Sequence, residues 1–141
     1  MFRKENGVTL VALVITIIVL LILAGVTISM VMGDDSIINN AKTAADNTDK
    51  QTAFDAVSMA CLNLSTKALG EKYANGNSSV TTTVNAAAIA SEASDILGED
   101  GKATVSGSDI KVTLNNVDWY VPIEINTDTN VATVTAQAAT K

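Results

Sequence analysis

The chain has 141 residues and a net charge of −6, with a single cysteine and no histidine. The acidic balance argues against nucleic-acid binding through the bulk surface, because neutralising phosphates requires clustered lysine and arginine. One cysteine excludes an intramolecular disulfide, and the lack of histidine removes the commonest general base and metal ligand. The sequence also has no CxxC, P-loop or Gly-x-Ser-x-Gly motif, so it predicts neither an enzyme nor a cofactor.

An uncharged apolar run follows a short charged head at the N-terminus. The run covers residues 8–33, about 26 residues, and as a helix it would be about 39 Å long. A bilayer needs about 20 such residues, whereas the apolar part of a cleaved signal peptide has only about 7–15. Arg3 and Lys4 precede the run, and Asp34 and Asp35 follow it. The positive-inside rule therefore predicts a membrane-spanning helix with the N-terminus in the cytoplasm.

Small side chains recur within this run. Gly25, Ser29 and Gly33 stand four residues apart, which predicts a row on one helix face where a second helix can approach closely. The alternative is that three small residues align by chance in a chain rich in such residues. The candidate positions for helix–helix packing are these three residues and Ala12.

An amphipathic helical pattern continues after the apolar run. The helix is predicted to extend to about residue 72, with a kink or short break at residues 33–36, where Ser36 or one of the two preceding Asp residues can cap a new start. Cys61 falls in the apolar stripe and is predicted to be a small buried side chain, with an intermolecular disulfide or a reactive thiol as the alternative. The stripe recurs mostly at spacings of three, four or seven: Ile37, Ile38, Ala41, Ala45, Thr48, Phe54, Val57, Cys61, Leu64 and Ala68.

The C-terminal part combines a short helical pattern with strand-like alternation. Residues 85–97 are predicted to form a helix capped by Asn85 and stopped by Gly98. Trp119 is predicted to lie in the core, and Pro122 on an edge strand or at a bulge, because proline cannot donate to a ladder. Alternation interrupted by turn residues predicts antiparallel hairpins, with strands at residues 103–106, 110–115, 119–125 and 131–135.

The predicted fold class is α+β. A long N-terminal hydrophobic helix is followed by a small globular head made of a short helix and an antiparallel sheet of three or four strands. The predicted segments are a leader at residues 1–7, a transmembrane or filament-core helix at residues 8–33, its amphipathic continuation at residues 34–72 and the head at residues 73–141.

Two oxygen-rich stretches in the head could hold Ca²⁺. They are residues 98–101 and residues 126–130. Neither has the ligand spacing of an EF-hand loop with its terminal Glu, which favours plain turns over a metal site.

The N-terminal region resembles the type IV pilins and pilin-like proteins, in the form found in Gram-positive bacteria. The resemblance rests on the basic leader MFRKENG, on the segment Gly7-Val8-Thr9-Leu10-Val11 and on the apolar helix that follows. It covers the first 33 residues closely and the remainder only in architecture. It implies that a membrane-embedded prepilin peptidase cleaves between Gly7 and Val8 on the cytoplasmic side, and that the new amine of Val8 is methylated.

Two residues depart from the family pattern. Val8 stands where the family usually has Phe, and Ala12 stands where it usually has Glu. In the family that carboxylate is thought to pair with the N-terminal amine of a neighbouring subunit, since a charge in an apolar bundle needs a partner. Without it, either carbonyls and hydroxyls such as that of Thr9 satisfy the amine, or processing differs.

The resemblance implies a structural subunit. The membrane would hold it until an ATP-driven machine assembles it with other copies into an extracellular, pilus-like filament through packing of the apolar helices. The implied partners are other copies of the chain, the membrane, the prepilin peptidase and the assembly machinery, with no cofactor. The alternative is a membrane-anchored minor pilin or pseudopilin whose head binds a ligand in secretion or DNA uptake.

Overall fold

The computed structural model describes residues 6–33, 36–74 and 80–141, with side chains from residue 9 onward. Backbone contacts divide the chain into two compact units, Met1–Ala45 and Asp46–Lys141. The predicted α+β class is confirmed. The elements are α1 (Asn6–Met32), α2 (Ile37–Ala74), α3 (Ala86–Leu97), a 3₁₀ turn (Gly98–Asp100), β1 (Gly101–Ser106), β2 (Asp109–Leu114), β3 (Val117–Asn126) and β4 (Val131–Val134).

Residues 6–32 form the helix α1, although most of them are Val, Ile and Leu, and Val and Ile favour strands. The β-branched residues Val and Ile disfavour helix in water, but a helix bonds the backbone groups of its interior within the segment, which an apolar environment requires. Two hydroxyls also bond within the helix. Thr16 donates to the carbonyl oxygen of Leu13 at 2.7 Å, and Thr27 donates to those of Leu23 and Ala24 at 3.0 Å.

A break separates α1 from α2, as predicted. Ser36 caps the start of α2, because its hydroxyl oxygen accepts the N–H of Asn39 at 3.2 Å and its carbonyl oxygen accepts the N–H of Asn40 at 3.0 Å. Gly33 lies after the last residue of α1, and a Cβ at this position would stand 2.9 Å from the carbonyl oxygen of Ser29. Glycine is therefore favoured at the helix end for local backbone reasons. Asp34 and Asp35 lie outside the described residues.

The second half of α2 buries one face in the head. The predicted stripe is right for Val57, Cys61 and Ala68, which are buried, and Phe54 and Leu64 are partly buried. The first turns of α2 continue the same stripe, but there Ile37, Ile38, Ala41, Ala45 and Thr48 are all exposed. Hydrophobic periodicity identifies a helix face but not how far along the helix a partner lies. The buried residues of α2 are Ala53, Ala56, Val57, Ala60, Cys61, Ser65 and Ala68.

The short helix α3 begins and ends as predicted. The side-chain oxygen of Asn85 accepts the N–H of Ala88 at 2.8 Å, which satisfies one of the free donors of the first turn. Gly98 has a positive φ of 62°, and its N–H donates to the carbonyl oxygen of Ser94. A residue with a Cβ would be strained in this conformation.

The four strands form an antiparallel meander in the order β1-β2-β3-β4, which confirms the predicted hairpins. Alternation puts one face of the sheet in a single core with α2 and α3, and Trp119 is buried there as predicted. The opposite face is polar. The strands of the second hairpin differ from the predicted bounds, because Asn115 and Asn116 have positive φ of 49° and 65° and form the turn.

Both oxygen-rich stretches form turns in the structure. The 3₁₀ turn covers Gly98–Asp100. In the last hairpin, the side-chain oxygen of Asn126 accepts the N–H groups of Asp128 and Thr129 at 3.0 Å, which is an Asx turn.

Pro122 lies in β3, an inner strand, so the predicted edge position is wrong. The alternative of an interrupted, bulge-like pairing fits better. The ladder between β3 and β4 starts only at Ile123, and pairing resumes at Tyr120, whose N–H and carbonyl both bond to Ala139. Between them, the carbonyl of Pro122 accepts the N–H of Thr135 at 3.0 Å. No donor is needed at the proline nitrogen, because the ladder is irregular on this side.

Serine hydroxyls from the helices cover both outer edges of the sheet. On β4, the N–H of Ala132 donates to the Ser65 hydroxyl oxygen at 2.9 Å. On β1, the N–H of Ala103 donates to the Ser94 hydroxyl oxygen at 2.9 Å, and Ser94 also stands 3.1 Å from the Ala103 carbonyl oxygen, to which it donates. Edge strands otherwise offer unpaired backbone groups to other chains, so these contacts protect the sheet.

Replacing Ser65 with Ala should destabilise the head. The N–H of Ala132 is buried, and the substitution removes its acceptor, which costs about 1–3 kcal/mol. Urea denaturation of the full chain in detergent should show a lower midpoint at an unchanged slope. Thr66→Ala is the matched control, since Thr66 is exposed on the next position of α2. Equal stability of the two variants would contradict the role given to the Ser65 hydroxyl.

Candidate functional site

The most distinctive surface of the molecule is α1. Every side chain from residue 9 to residue 32 is exposed, and no residue of α1 carries a charge. Its 27 residues correspond to about 40 Å of helix, against about 30 Å for the hydrocarbon core of a bilayer. Leu20, Leu21 and Met32 are 64%, 67% and 81% exposed. Soluble monomers rarely expose apolar patches of this extent, so α1 requires an apolar environment.

By length and composition, α1 is long and apolar enough to cross a membrane. It is the one such helix within the parts of the chain that the structure describes, residues 9–33, 36–74 and 80–141. The helix is therefore compatible with a membrane-anchored subunit, which is what the sequence predicts.

The predicted packing residues are only partly brought together. Gly25 and Ser29 are about 40° apart around the helix, and a Cβ added at Gly25 would meet nothing within 4 Å. Ala12 is 13 positions before Gly25 and lies about 140° away around the axis, so it belongs to a different face. Gly33 lies beyond the end of the helix. The small face of α1 thus consists of Gly25 and Ser29.

The predicted cleavage site falls at the start of α1. Gly7 and Val8 are in its first turn, because the helix begins at Asn6. The first four N–H groups of a helix have no intrahelical acceptor, so this turn unwinds at the lowest cost. Cleavage after Gly7 and methylation of Val8 stay predictions, and residues 1–5 of the leader lie outside the described residues.

A groove of about 450 Å³ lies between α2 and β4 in the head. Its floor and walls are mostly apolar, with Phe54, Leu62 and Leu69 on the helix side. The hydroxyl oxygen of Ser58 lines it and has no hydrogen-bond partner in the described structure.

Cys61 lies in the same groove and is buried, as predicted. Burial raises the pKa of its thiol to about 11, against a smaller lowering by its own backbone N–H. The thiolate is the nucleophile and the metal ligand, so at neutral pH this thiol is unreactive. Among residues 9–33, 36–74 and 80–141 there is also no group of three His, Cys, Asp or Glu side chains placed to hold a metal ion.

Two ion pairs lie on the polar face of the sheet, and one of them joins the C-terminal Lys141 to β2. Lys141 donates to Asp109 at 2.8 Å and stands 4.6 Å from the centre of the Tyr120 ring. The hydrogen bond from Lys141 lowers the pKa of Asp109. A second pair joins Lys111 to Asp118 at 3.3 Å. Exposed pairs of this kind contribute little stability, so we read them as positioning contacts.

Glu71, in the last turn of α2, makes the densest set of polar contacts in the described part of the head. Its carboxylate accepts four hydrogen bonds, two from Thr81 and two from Thr82, over distances of 2.6 to 3.0 Å. The hydroxyl and the N–H of Thr82, followed by those of Thr81, lower the pKa of Glu71 from 4.5 to about 2. The sequence carried no sign of this contact, since a lone Glu on a polar helix face is usually solvated.

The lowered pKa of Glu71 predicts a loss of stability in acid. A depressed carboxyl pKa contributes stability that is fully present above the unfolded pKa of 4.5 and is lost as the pH falls through about 2. Acid titration followed by the amide resonances of Thr81 and Thr82 should show a transition in this window. The Glu71→Gln variant should lack it, and a titration of Glu71 near 4.5 in the folded chain would contradict the expectation.

Comparison of the chain with family models, curated proteins and solved structures gives no match. The functional assignment therefore depends on the residues and geometry of this chain, of which α1 is the dominant feature.

Proposed function

We propose that the chain is a pilin-like structural subunit. The membrane holds it through α1, and it polymerises into an extracellular, pilus-like filament when α1 helices of different copies pack together. The observation that carries the proposal is that α1 is free of charge and exposed along its whole described length. Such a helix is stable in two environments, lipid and a bundle of like helices, and moving between them exchanges apolar contacts for apolar contacts.

The polar groups of α1 support this exchange. The hydroxyls of Thr16 and Thr27 donate to carbonyls of their own helix, so their donors need no partner in lipid or in a bundle. Gly25 and Ser29 offer a small face at which a second helix can come close. Packing at this face is the contact we propose between copies.

The N-terminal amine is the charge that a bundle of these helices has to accommodate. Cleavage after Gly7 would create the amine on Val8, and α1 contains no carboxylate that could pair with it. We propose that carbonyl oxygens and hydroxyls in neighbouring copies, such as the hydroxyl of Thr9, accept its hydrogen bonds. Prepilin peptidase and the assembly machinery are the partners this processing requires.

The head fits a structural rather than an enzymatic role. Its one thiol has a raised pKa and is buried, and its sheet presents a polar face that suits a filament exterior. A second candidate function is a minor pilin or pseudopilin whose head binds a ligand. The groove between α2 and β4 favours it, because ligand sites are typically concave and mostly apolar, with a few polar groups such as the Ser58 hydroxyl.

Shearing of cells that produce the protein tests the proposal. We expect the protein in the sheared fraction, in thin filaments seen by electron microscopy, with N-terminal sequencing that starts at methylated Val8. Protein that stays in the membrane fraction with a processed N-terminus favours the minor-subunit function. An intact Met1 on membrane-bound protein and no filament would contradict the pilin-like assignment.

A further inference from the structure

Thr81 and Thr82 surround one carboxylate with four donors. Their backbone N–H groups both donate to Oε2 of Glu71, at 2.7 and 2.9 Å. The Thr81 hydroxyl adds a bond to Oε2 at 3.0 Å, and the Thr82 hydroxyl donates to Oε1 at 2.6 Å. Two successive backbone N–H groups thus converge on one carboxylate oxygen, as backbone N–H groups also do in concave anion sites. We call these two residues the threonine nest.

Glu71 is not the only group that fixes the arrangement of the donors in the threonine nest. Val84 follows the nest and is buried, and Asn85 caps α3, so the chain is anchored on that side by the core and by a helix start. Two of the four donors are backbone groups, which keep their direction as long as this conformation persists. Thr81 is exposed and Thr82 half-buried, so solvent reaches the nest.

We propose that the threonine nest is a carboxylate-binding site and that Glu71 closes it by occupying it. The Glu71 side chain is an internal ligand, and a carboxylate from another molecule competes with it for the same four donors. In the intact chain the internal ligand wins, because its effective concentration is high. When the carboxylate of Glu71 is absent, a carboxylate from solution takes its place and orders the segment that leads into α3.

The chemistry of the donors selects the ligand. All described contacts of the Glu71 carboxylate are with neutral N–H and O–H groups of Thr81 and Thr82. Three of the bonds go to one oxygen and one to the other, which matches the two oxygens of a planar carboxylate. A doubly charged phosphate would bring a second charge that none of these donors neutralises, so the site favours a singly charged carboxylate.

The Glu71→Ala variant of the full chain, in detergent micelles, tests the proposal. We expect hydrogen exchange at the amides of Thr81 and Thr82 to rise about tenfold or more, since bonds to a charged acceptor are lost. Added sodium acetate should restore protection in a saturable way, whereas sodium chloride at equal ionic strength should not. Glu92→Ala is the matched control, because Glu92 is a half-buried glutamate that accepts one hydrogen bond, from Asn63 at 3.1 Å, and does not contact the threonine nest.

Two sources of the carboxylate are separated by a peptide pair. A short peptide with a free C-terminus and the same peptide with an amidated C-terminus are compared with acetate. If the peptide with the free C-terminus protects the amides at lower concentration than acetate, and the amidated peptide does not protect them, a chain terminus is the better ligand. Equal potency of acetate identifies a small free carboxylate.

The proposal is overturned if acetate has no saturable effect on Thr81 and Thr82 in Glu71→Ala, or if it acts equally on the Glu92→Ala control. Should Glu71→Ala fail to fold, Glu71→Gln serves instead. Its amide lacks the negative charge, so acetate should displace it at concentrations that leave the original chain unchanged. An absence of acetate-dependent protection in Glu71→Gln would then overturn the proposal as well.

Discussion

Replacing Ile17 with Asp should abolish filaments and reduce insertion of the chain into the membrane, while the head stays folded. Ile17 lies near the middle of α1 and is 48% exposed, so it would face lipid or a neighbouring helix. An Asp at the centre of a membrane-spanning helix costs about 2.5–3.5 kcal/mol on the insertion scale, and in a dry bundle it would have no partner. Cell fractionation and electron microscopy of sheared material measure the two effects.

Two comparisons make this result interpretable. Ile17→Leu keeps the apolar character and should insert and assemble normally. Leu21→Asp, one turn later on the same helix, should behave like Ile17→Asp. Normal filaments from either Asp variant would refute the proposed packing of α1 helices.

Insertion and assembly can also be separated. Gly25→Leu leaves α1 apolar, so insertion should be retained, but it fills the small face that we propose as the contact between copies. Val26→Leu is the matched control, because Val26 is exposed beside it and already carries a large side chain. Filament loss in the first variant and not in the second would support packing at Gly25 and Ser29.

Replacing Ile110 with Ala should destabilise the head by about 2–5 kcal/mol. Ile110 is fully buried at the centre of the sheet, and the truncation leaves a cavity between the strands and the helices. A domain of this size has only about 5–15 kcal/mol of total stability, so the loss is a large fraction of it. Thermal unfolding followed by circular dichroism should show the transition shifted down by at least about 8 °C.

Val105→Ala is the control for this prediction. Val105 stands directly opposite Ile110 on β1, on the same face of the sheet, but it is 46% exposed. Its truncation should cost much less, because no enclosed cavity forms. Similar shifts of the unfolding temperature in the two variants would contradict the burial of Ile110 in the core.

Local patterns in the sequence were sufficient for the secondary structure. The charge-free run predicts α1, Asn85 and Gly98 predict the two ends of α3, and the turn residues between alternating segments predict the hairpins. Each of these depends on residues within a few positions of one another, because capping, turn geometry and strand alternation are local properties of the backbone.

The same patterns were insufficient where a contact joins distant segments. The exposed first turns of α2 and its buried second half have a similar periodicity, and only the presence of the sheet distinguishes them. The threonine nest and the Ser65 contact with Ala132, 67 residues away, have no local signature at all. From sequence, a lone Glu or Ser on a helix is expected to be solvated, because the donor that the fold brings to it lies far away in the chain.

The sequence by itself determined that an uncharged helix precedes the head, that this helix breaks near residue 33 and that the head is α+β. The tertiary structure decided which residues of α2 are buried, that Pro122 lies in an inner strand and that Glu71 occupies the threonine nest. The physical reason is that helices and turns are set by neighbours in the chain. Burial and hydrogen-bond partners are set by neighbours in space, which packing alone supplies.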